Sequence, residues 1–170
     1  MAHVAFILAD LYEDSEFTEP WLRLQEAGHQ TATIGLRRGA EVKGKKGHST
    51  VTDLAIAEAR ADEFDALVIP GGYSPDKLRV DEGMVTFTRE LVQSGKPVAA
   101  ICHAGWMLAE ADVARGRRLT SVRNIRTDLI NAGADWVDEE VAVDGNLITS
   151  RTPADLSAFC NALLEQLKQP

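Results

Sequence analysis

Apolar residues in this chain fall into short unbroken blocks separated by longer amphipathic stretches. Val4-Ala5-Phe6-Ile7-Leu8-Ala9 is the first block, Phe64-Asp65-Ala66-Leu67-Val68-Ile69-Pro70 the second, and Val98-Ala99-Ala100-Ile101 the third. Continuous runs of β-branched and small apolar residues suit strands buried on both faces, as in the middle of a parallel sheet. Thr31 to Leu36 alternates weakly and reads as a further strand. Between the first two strands, Trp21, Leu22, Leu24 and Ala27 form a helical stripe stopped by Gly28. Ser15 is the expected N-cap of that helix, and Pro20 is expected in its first turns.

The remaining elements follow from the same patterns. Residues 37–50, RRGAEVKGKKGHST, predict a two-stranded excursion with tight turns. Its cations Arg37, Arg38, Lys43, Lys45 and Lys46 read as a solvated edge hairpin, with an anion patch as the alternative. Leu54 to Ala61 resembles a short helix, and Asp81 to Ser94 carries helical spacing up to Gly95. Arg117 to Thr120 is a candidate strand, and Asp128 to Ala132 a helix stopped by Gly133. Trp136 to Ser150 predicts a hairpin, Val137-to-Val143 against Leu147-to-Thr149, turning at Asp144-Gly145-Asn146. Asp155 to Lys168 is the last helix, with Cys160 on its apolar side as a packing residue. Strands alternating with helices imply right-handed crossovers and a parallel sheet covered on both faces. In such sheets the site lies at the carboxyl ends of the strands, beside the switch in strand order. Three loops are placed there: Asp10–Ser15, Gly71–Arg79 and Cys102–Gly105.

Composition narrows the function classes. The 170 residues are 45% apolar and 26% charged, as expected of one globular domain over residues 1–170. A net charge of −8 argues against nucleic acid as the main partner. The sequence shows no apolar run of membrane-spanning length and no signal peptide, so a cytoplasmic address is expected. Cys102 and Cys160 are too far apart to suggest a disulfide framework, and His and Cys nowhere fall in ligand spacing. Neither a metal nor a cofactor is expected.

The stretch KPVAAICHAGWML, Lys96 to Leu108, carries the chemistry. A strand runs directly into Cys102, and a helix opens at His103. Unpaired N–H groups and the positive end of a helix dipole favour thiolate over thiol. Ala100 and Ala104 leave room for a tight bend, so small-x-Cys-x-small has the steric form of a nucleophile elbow, which requires a strained backbone at the cysteine. The competing reading of Cys102 is a buried packing thiol. The chain has four histidines, and His3, His29 and His48 read as surface residues, leaving His103 as the candidate partner of the thiol. Gly71-Gly72 allows close backbone approach and could cradle an oxyanion.

These residues resemble the PfpI family of intracellular cysteine peptidases and protein deglycases, within the superfamily of the class I glutamine amidotransferases. The anchors are Tyr12-Glu13-Asp14 with Glu16, the run Glu63 to Gly72, and Gly95 to Ala99 with Ile101-Cys102-His103. Ile130 to Gly133, Val143 to Asn146, Ser150-Arg151 and Pro153 complete the match. The resemblance implies a flavodoxin-like three-layer α/β/α sandwich with a mostly parallel sheet. It implies Cys102 as nucleophile, His103 as its partner, and Glu13 as a buried, protonated carboxyl beside the thiolate. Gly72 and the His103 N–H would hold the oxyanion, with Gly71 adjoining. Asp76 stands where many relatives have glutamate, and would approach His103 of a second subunit with one methylene less. Ala104-Gly105-Trp106 stands where relatives commonly show Gly-Pro, and Trp106 either narrows the site mouth or packs the helix.

The activity implied is a cysteine-dependent stress-defence hydrolase acting on methylglyoxal or glyoxal adducts. An intracellular peptidase or a cofactor-independent glyoxalase are the enzymatic alternatives, and a redox sensor or chaperone using Cys102 the non-enzymatic one. Small carbonyl compounds or modified proteins and peptides are the implied substrates, and a homo-oligomer, dimer or hexamer, the implied assembly.

Overall fold

The computed structural model of the protein describes residues 1–168. Its strands are β1 (His3–Ile7), β2 (Gln30–Gly35), β3 (Glu41–Lys43), β4 (Ser49–Val51), β5 (Leu54–Ala55), β6 (Ala66–Ile69), β7 (Val98–Ile101), β8 (Arg118–Leu119), β9 (Asp135–Trp136), β10 (Ala142–Asp144) and β11 (Leu147–Ser150). Its helices are α1 (Asp14–Glu26), α2 (Ser74–Leu78), α3 (Glu82–Gln93), α4 (Gly105–Glu110), α5 (Arg126–Asn131) and α6 (Leu156–Leu167). Seven strands make one sheet in the order β10-β11-β7-β6-β1-β2-β5, parallel except for the β10–β11 pair. The strand order reverses between β1, which leads to β2 on one side, and β6, which pairs with β1 on the other. The α/β sandwich expected from the alternation is the observed one.

The apolar blocks feed both faces of the sheet because successive side chains on a strand point to opposite sides. Ala5 and Ile7 join the cluster under α3, α4 and α5, whereas Val4, Phe6 and Leu8 join the one under α1 and α6. β7 divides likewise, Val98 and Ala100 to one side, Ala99 and Ile101 to the other. A register slip of one residue would exchange the two cores, so the pairing Leu67↔Val98 through Ile69↔Ala100 is firmly specified.

Several boundaries differ from those expected. α1 starts at Asp14 with Glu13 in the N-cap position, not Ser15, and Pro20 lies in the middle of the helix. Leu54–Ala61 is not a helix. Leu54–Ala55 pairs with β2, and single 3₁₀ turns follow at Ile56–Glu58 and Ala61–Glu63. Asp53 decides this. Its N–H donates to Thr33 O at 2.8 Å and its carboxylate accepts Thr33 N–H at 2.8 Å, locking the chain to the sheet edge. The hairpin expected over 136–150 is shorter, Ala142–Asp144 against Leu147–Ser150, because Trp136 belongs to β9, which pairs with β8. Gly71–Arg79 is not all loop, since it contains α2.

Candidate active site

β7 delivers Cys102 to the carboxyl edge of the sheet, and the turn there is as sharp as the sequence demands. Cys102 has φ 63°. A non-glycine residue in this left-handed region costs about 1–2 kcal/mol. The surroundings enforce it. Ala104 is fully buried, and Val122 N–H donates to Cys102 O at 3.3 Å. At Gly105 a methyl group would lie 2.9 Å from Leu129, so the segment is packed from behind. The turn swings neighbouring side chains together, and Cys102 Sγ lies 3.3 Å from His103 Nδ1.

The first loop and the glycine pair are stitched to each other beside this elbow. Tyr12 and Gly72 form an isolated bridge, Glu13 N–H donates to Gly71 O at 3.1 Å, and Tyr73 N–H donates to Leu11 O at 2.8 Å. Gly72 has φ 77°, and a methyl group there would sit 2.5 Å from Glu13 N. Both facts require glycine. Burial pushes the Cys102 thiol up, to about 12, and charge on Glu16 would add to this, while the N–H groups of Gly72 and His103 pull it down. Those two N–H groups are the expected oxyanion donors, and they favour negative charge at the sulfur.

Glu13 is buried as expected, but the neutral carboxyl beside the thiol is that of Glu16, which corrects the expectation that Glu13 is protonated. Burial pushes the Glu13 carboxyl up, but Lys46 and Lys45 outweigh it and hold it below the ordinary range. Its oxygens lie 2.8 Å from Lys46 Nζ and 3.1 Å from Lys45 Nζ. Glu13 is therefore ionised and turned towards cations. Glu16 is 0% exposed, accepts Gly71 N–H on Oε1 at 2.9 Å, and has no partner for Oε2 among the described residues. Burial pushes it up to about 8. A methyl group on Gly71 would fall 2.6 Å from Glu16 Oε1 and 2.7 Å from Cys102 Cβ, which places the two acids side by side. Acids this close do not both ionise, so the pair retains a proton. With Glu16 neutral, its repulsion on the thiolate is absent. A signal for Glu16 existed in the sequence: Glu16, Pro20 and Leu24 lie four apart and all are buried, a carboxyl on the apolar stripe of α1.

The basic hairpin β3–β4 is not a strand pair at the sheet edge. It forms its own two-stranded sheet, and its turn folds over the first loop. His48 is half-buried, with Nδ1 2.7 Å from the hydroxyl of buried Tyr12, so it is not a surface residue. His29 and His3 are half-buried as well, His29 accepting Ala2 N–H and His3 lying against Phe64. Burial, then the charge of Lys45, lowers the His103 pKa, keeping the imidazole neutral.

Trp106 is half-buried at the outer side of the site. Its ring centroid is 5.1 Å from that of His103, its Nε1–H donates to Asp128 at 2.8 Å, and the Arg79 guanidinium carbon lies 5.3 Å from the Trp106 ring centroid. It also packs on the core cluster, so packing and site-lining are both served. Asp76 is exposed on α2.

The family model for the DJ-1/PfpI family matches residues 2–166. The chain is 53% identical over 166 residues to protein/nucleic acid deglycase 2 of Escherichia coli (strain K12), covering 96% of each. It is 46% identical over 165 residues to a deglycase of Pyrococcus abyssi (strain GE5 / Orsay), covering 97% of this chain and 99% of that one. Among solved structures, it resembles a two-domain protein of Anabaena variabilis with DJ-1/ThiJ/PfpI-like and ferritin-like domains. The TM-score is 0.97 at 45% identity, over 99% of this chain and 48% of that protein.

Proposed function

The chain belongs to the DJ-1/PfpI family, and from that premise we propose that it is a cysteine-dependent hydrolase of carbonyl adducts, of the deglycase type. One observation supports this most: a strained Cys102 at φ 63°, its sulfur 3.3 Å from His103 Nδ1, beside the buried carboxyl of Glu16. The deglycase names of relatives at 46% and 53% identity supply the substrate class.

In this reading Glu16 takes the role first assigned to Glu13. Glu16 lies beside Cys102 as a buried carboxyl, and while burial keeps it neutral it adds no repulsion to a forming thiolate. Cys102, a thiol at rest, passes its proton to His103 Nδ1, 3.3 Å away, as the sulfur forms a C–S bond to the carbonyl-derived carbon of the adduct. The bond from that carbon to the carrier breaks, and the amine or thiol leaves with that proton from His103. His103, neutral at rest, relays the C–H proton to the neighbouring carbonyl carbon, converting the thiohemiacetal into a thioester. Water then hydrolyses the thioester, and the Gly72 and His103 N–H groups hold the oxyanion formed. The balance is adduct plus water giving free carrier plus a 2-hydroxy acid. Glu13 serves as the anchor for Lys45 and Lys46 instead of as a proton donor.

The protein acts in this reading as a homo-oligomer in the cytoplasm, with Asp76 reaching His103 of a second copy. Its exposure on α2 leaves the carboxylate free to do so. The test is release of N-acetylcysteine from its methylglyoxal hemithioacetal by wild type and Cys102→Ser. Turnover abolished in the variant is expected. Equal rates would reject the hydrolase, and selective peroxide oxidation without turnover would favour a redox sensor.

A further inference from the structure

The turn between β3 and β4 carries two lysines to the site, and backbone contacts hold it there. Lys43 N–H donates to Asp10 Oδ1 at 3.0 Å, and Lys45 N–H donates to Tyr12 O at 2.9 Å. Lys46 N–H and His48 N–H donate to the two carboxylate oxygens of Asp14, at 2.9 and 2.8 Å. Gly44 sits so close to Asp14 that a methyl group there would collide with its carboxylate. Lys45 and Lys46 therefore project from a turn fixed by its main chain, unlike cations on a solvated edge.

Both ammonium groups converge on Glu13, whose side chain is only 9% exposed. Lys45 Nζ also lies 5.4 Å from the centroid of Tyr73, the residue after the oxyanion-donor Gly72. Glu13 takes one hydrogen bond from each lysine, and Asp14 is engaged by the N–H groups of Lys46 and His48. Glu16, while protonated, adds no negative charge beside them. Lys45 faces the site: its charge acts on Cys102 and, after burial, lowers the His103 pKa, in a chain whose net charge is −8. Each ammonium has three donors and gives one to Glu13, so donors remain. Side-chain exposures of 36% for Lys45 and 72% for Lys46 leave those donors open to an incoming group.

We propose that Lys45 and Lys46, clamped on Glu13, form an anion subsite beside Cys102 that selects adducts whose carrier bears an oxyacid group. This deepens the hydrolase reading and rests on it for the substrate. A carboxylate from an amino-acid or peptide carrier and a phosphate from a nucleotide carrier offer the same chemistry, an oxyanion accepting from two ammonium groups.

Two measurements test it. The first compares alkylation of Cys102 by iodoacetate and by iodoacetamide. Both reagents consume the same thiolate, so the ratio of rates cancels its population and reads local charge. At low salt the ratio should exceed that of free N-acetylcysteinamide by roughly three- to tenfold, the effect of one nearby charge in a partly screened site. It should fall towards the free-thiol value in about 1 M salt. It should also fall in Lys45→Met and Lys46→Met and persist in Lys45→Arg. A wild-type ratio at the free-thiol value, or one unmoved in both methionine variants, overturns the subsite. The second measurement compares KM within charged and neutral adduct pairs. Methylglyoxal adducts of N-acetylcysteine and N-acetylcysteinamide test the carboxylate, and those of GMP and guanosine the phosphate. A lower KM for the charged member in one pair identifies the source. Equal KM within both pairs overturns the subsite while leaving the hydrolase standing. Absence of turnover with a persistent, lysine-dependent alkylation ratio rejects the hydrolase and supports the subsite.

Discussion

Glu16 accepts the backbone N–H of Gly71 at 2.9 Å, and Gly71 has no side chain to separate that carboxyl from the elbow cysteine. The contact explains how a carboxyl comes to lie, fully buried, at a thiol. One oxygen is satisfied by the glycine loop, and the other has no partner among the described residues. It also makes Glu16 the titrating group to which the site is most sensitive.

Replacing Glu16 should separate its hydrogen bonding from its ionisation. Glu16→Gln keeps an N–H donor and should lower turnover about tenfold, whereas Glu16→Leu should lower it about a hundredfold and raise the thiol pKa. Alkylation rate against pH for the three proteins checks this, and superimposed profiles would remove Glu16 from the mechanism.

Glu16 should also tilt stability with pH. Its folded pKa of about 8 lies above the ordinary value of 4.5. Below the lower value both states hold the proton and the contribution is fully present. Between the two values the unfolded chain ionises while the folded one does not, so stability falls as pH rises, by up to about 5 kcal/mol. Urea midpoints at pH 5 and 7.5 should diverge in wild type and much less in Glu16→Gln.

Gly71→Ala would place a methyl group 2.6 Å from Glu16 Oε1, 2.7 Å from Cys102 Cβ and 2.8 Å from Ile101 O. None of these can yield without moving the site. The variant should lose about 2–3 kcal/mol and most activity. Denaturant midpoints with parallel turnover assays decide it, and a wild-type midpoint would show that the loop has slack.

The elbow strain is measurable by itself. Cys102→Gly should be about 1 kcal/mol more stable than Cys102→Ala, because glycine enters φ 63° without penalty. The reverse order would mean that the bend carries no strain.

Asp76→Asn should lower turnover several-fold without changing the mass of the assembly in sedimentation, if the carboxylate orients His103 of a second copy. Unchanged rates would make Asp76 an ordinary surface acid.

The fold was legible because burial on both faces leaves a plain mark: unbroken apolar blocks at Val4, Ala66 and Val98, spaced by amphipathic helices. The elbow was legible too, since Ala100, Cys102 and Ala104 are neighbours in sequence and their steric requirement is local. Leu54–Ala61 was misread because its few residues carry a weak helical pattern that one pair of Asp53–Thr33 hydrogen bonds overrides.

Which acid serves the thiol could not be settled locally. Glu13 and Glu16 are three residues apart and chemically identical, and their ionisation depends on what arrives from elsewhere. Lys45 and Lys46 come from a hairpin more than thirty residues on and hold Glu13 charged, whereas the inward face of α1 seals Glu16 from water and keeps it neutral. Sequence alone determined the sheet, the elbow and the pair of loops that meet there, because hydrophobic period and backbone sterics act over a few residues. Tertiary structure alone decided which of two buried carboxyls stays neutral and where the basic turn lies, because desolvation and Coulomb attraction depend on distance through space and not along the chain.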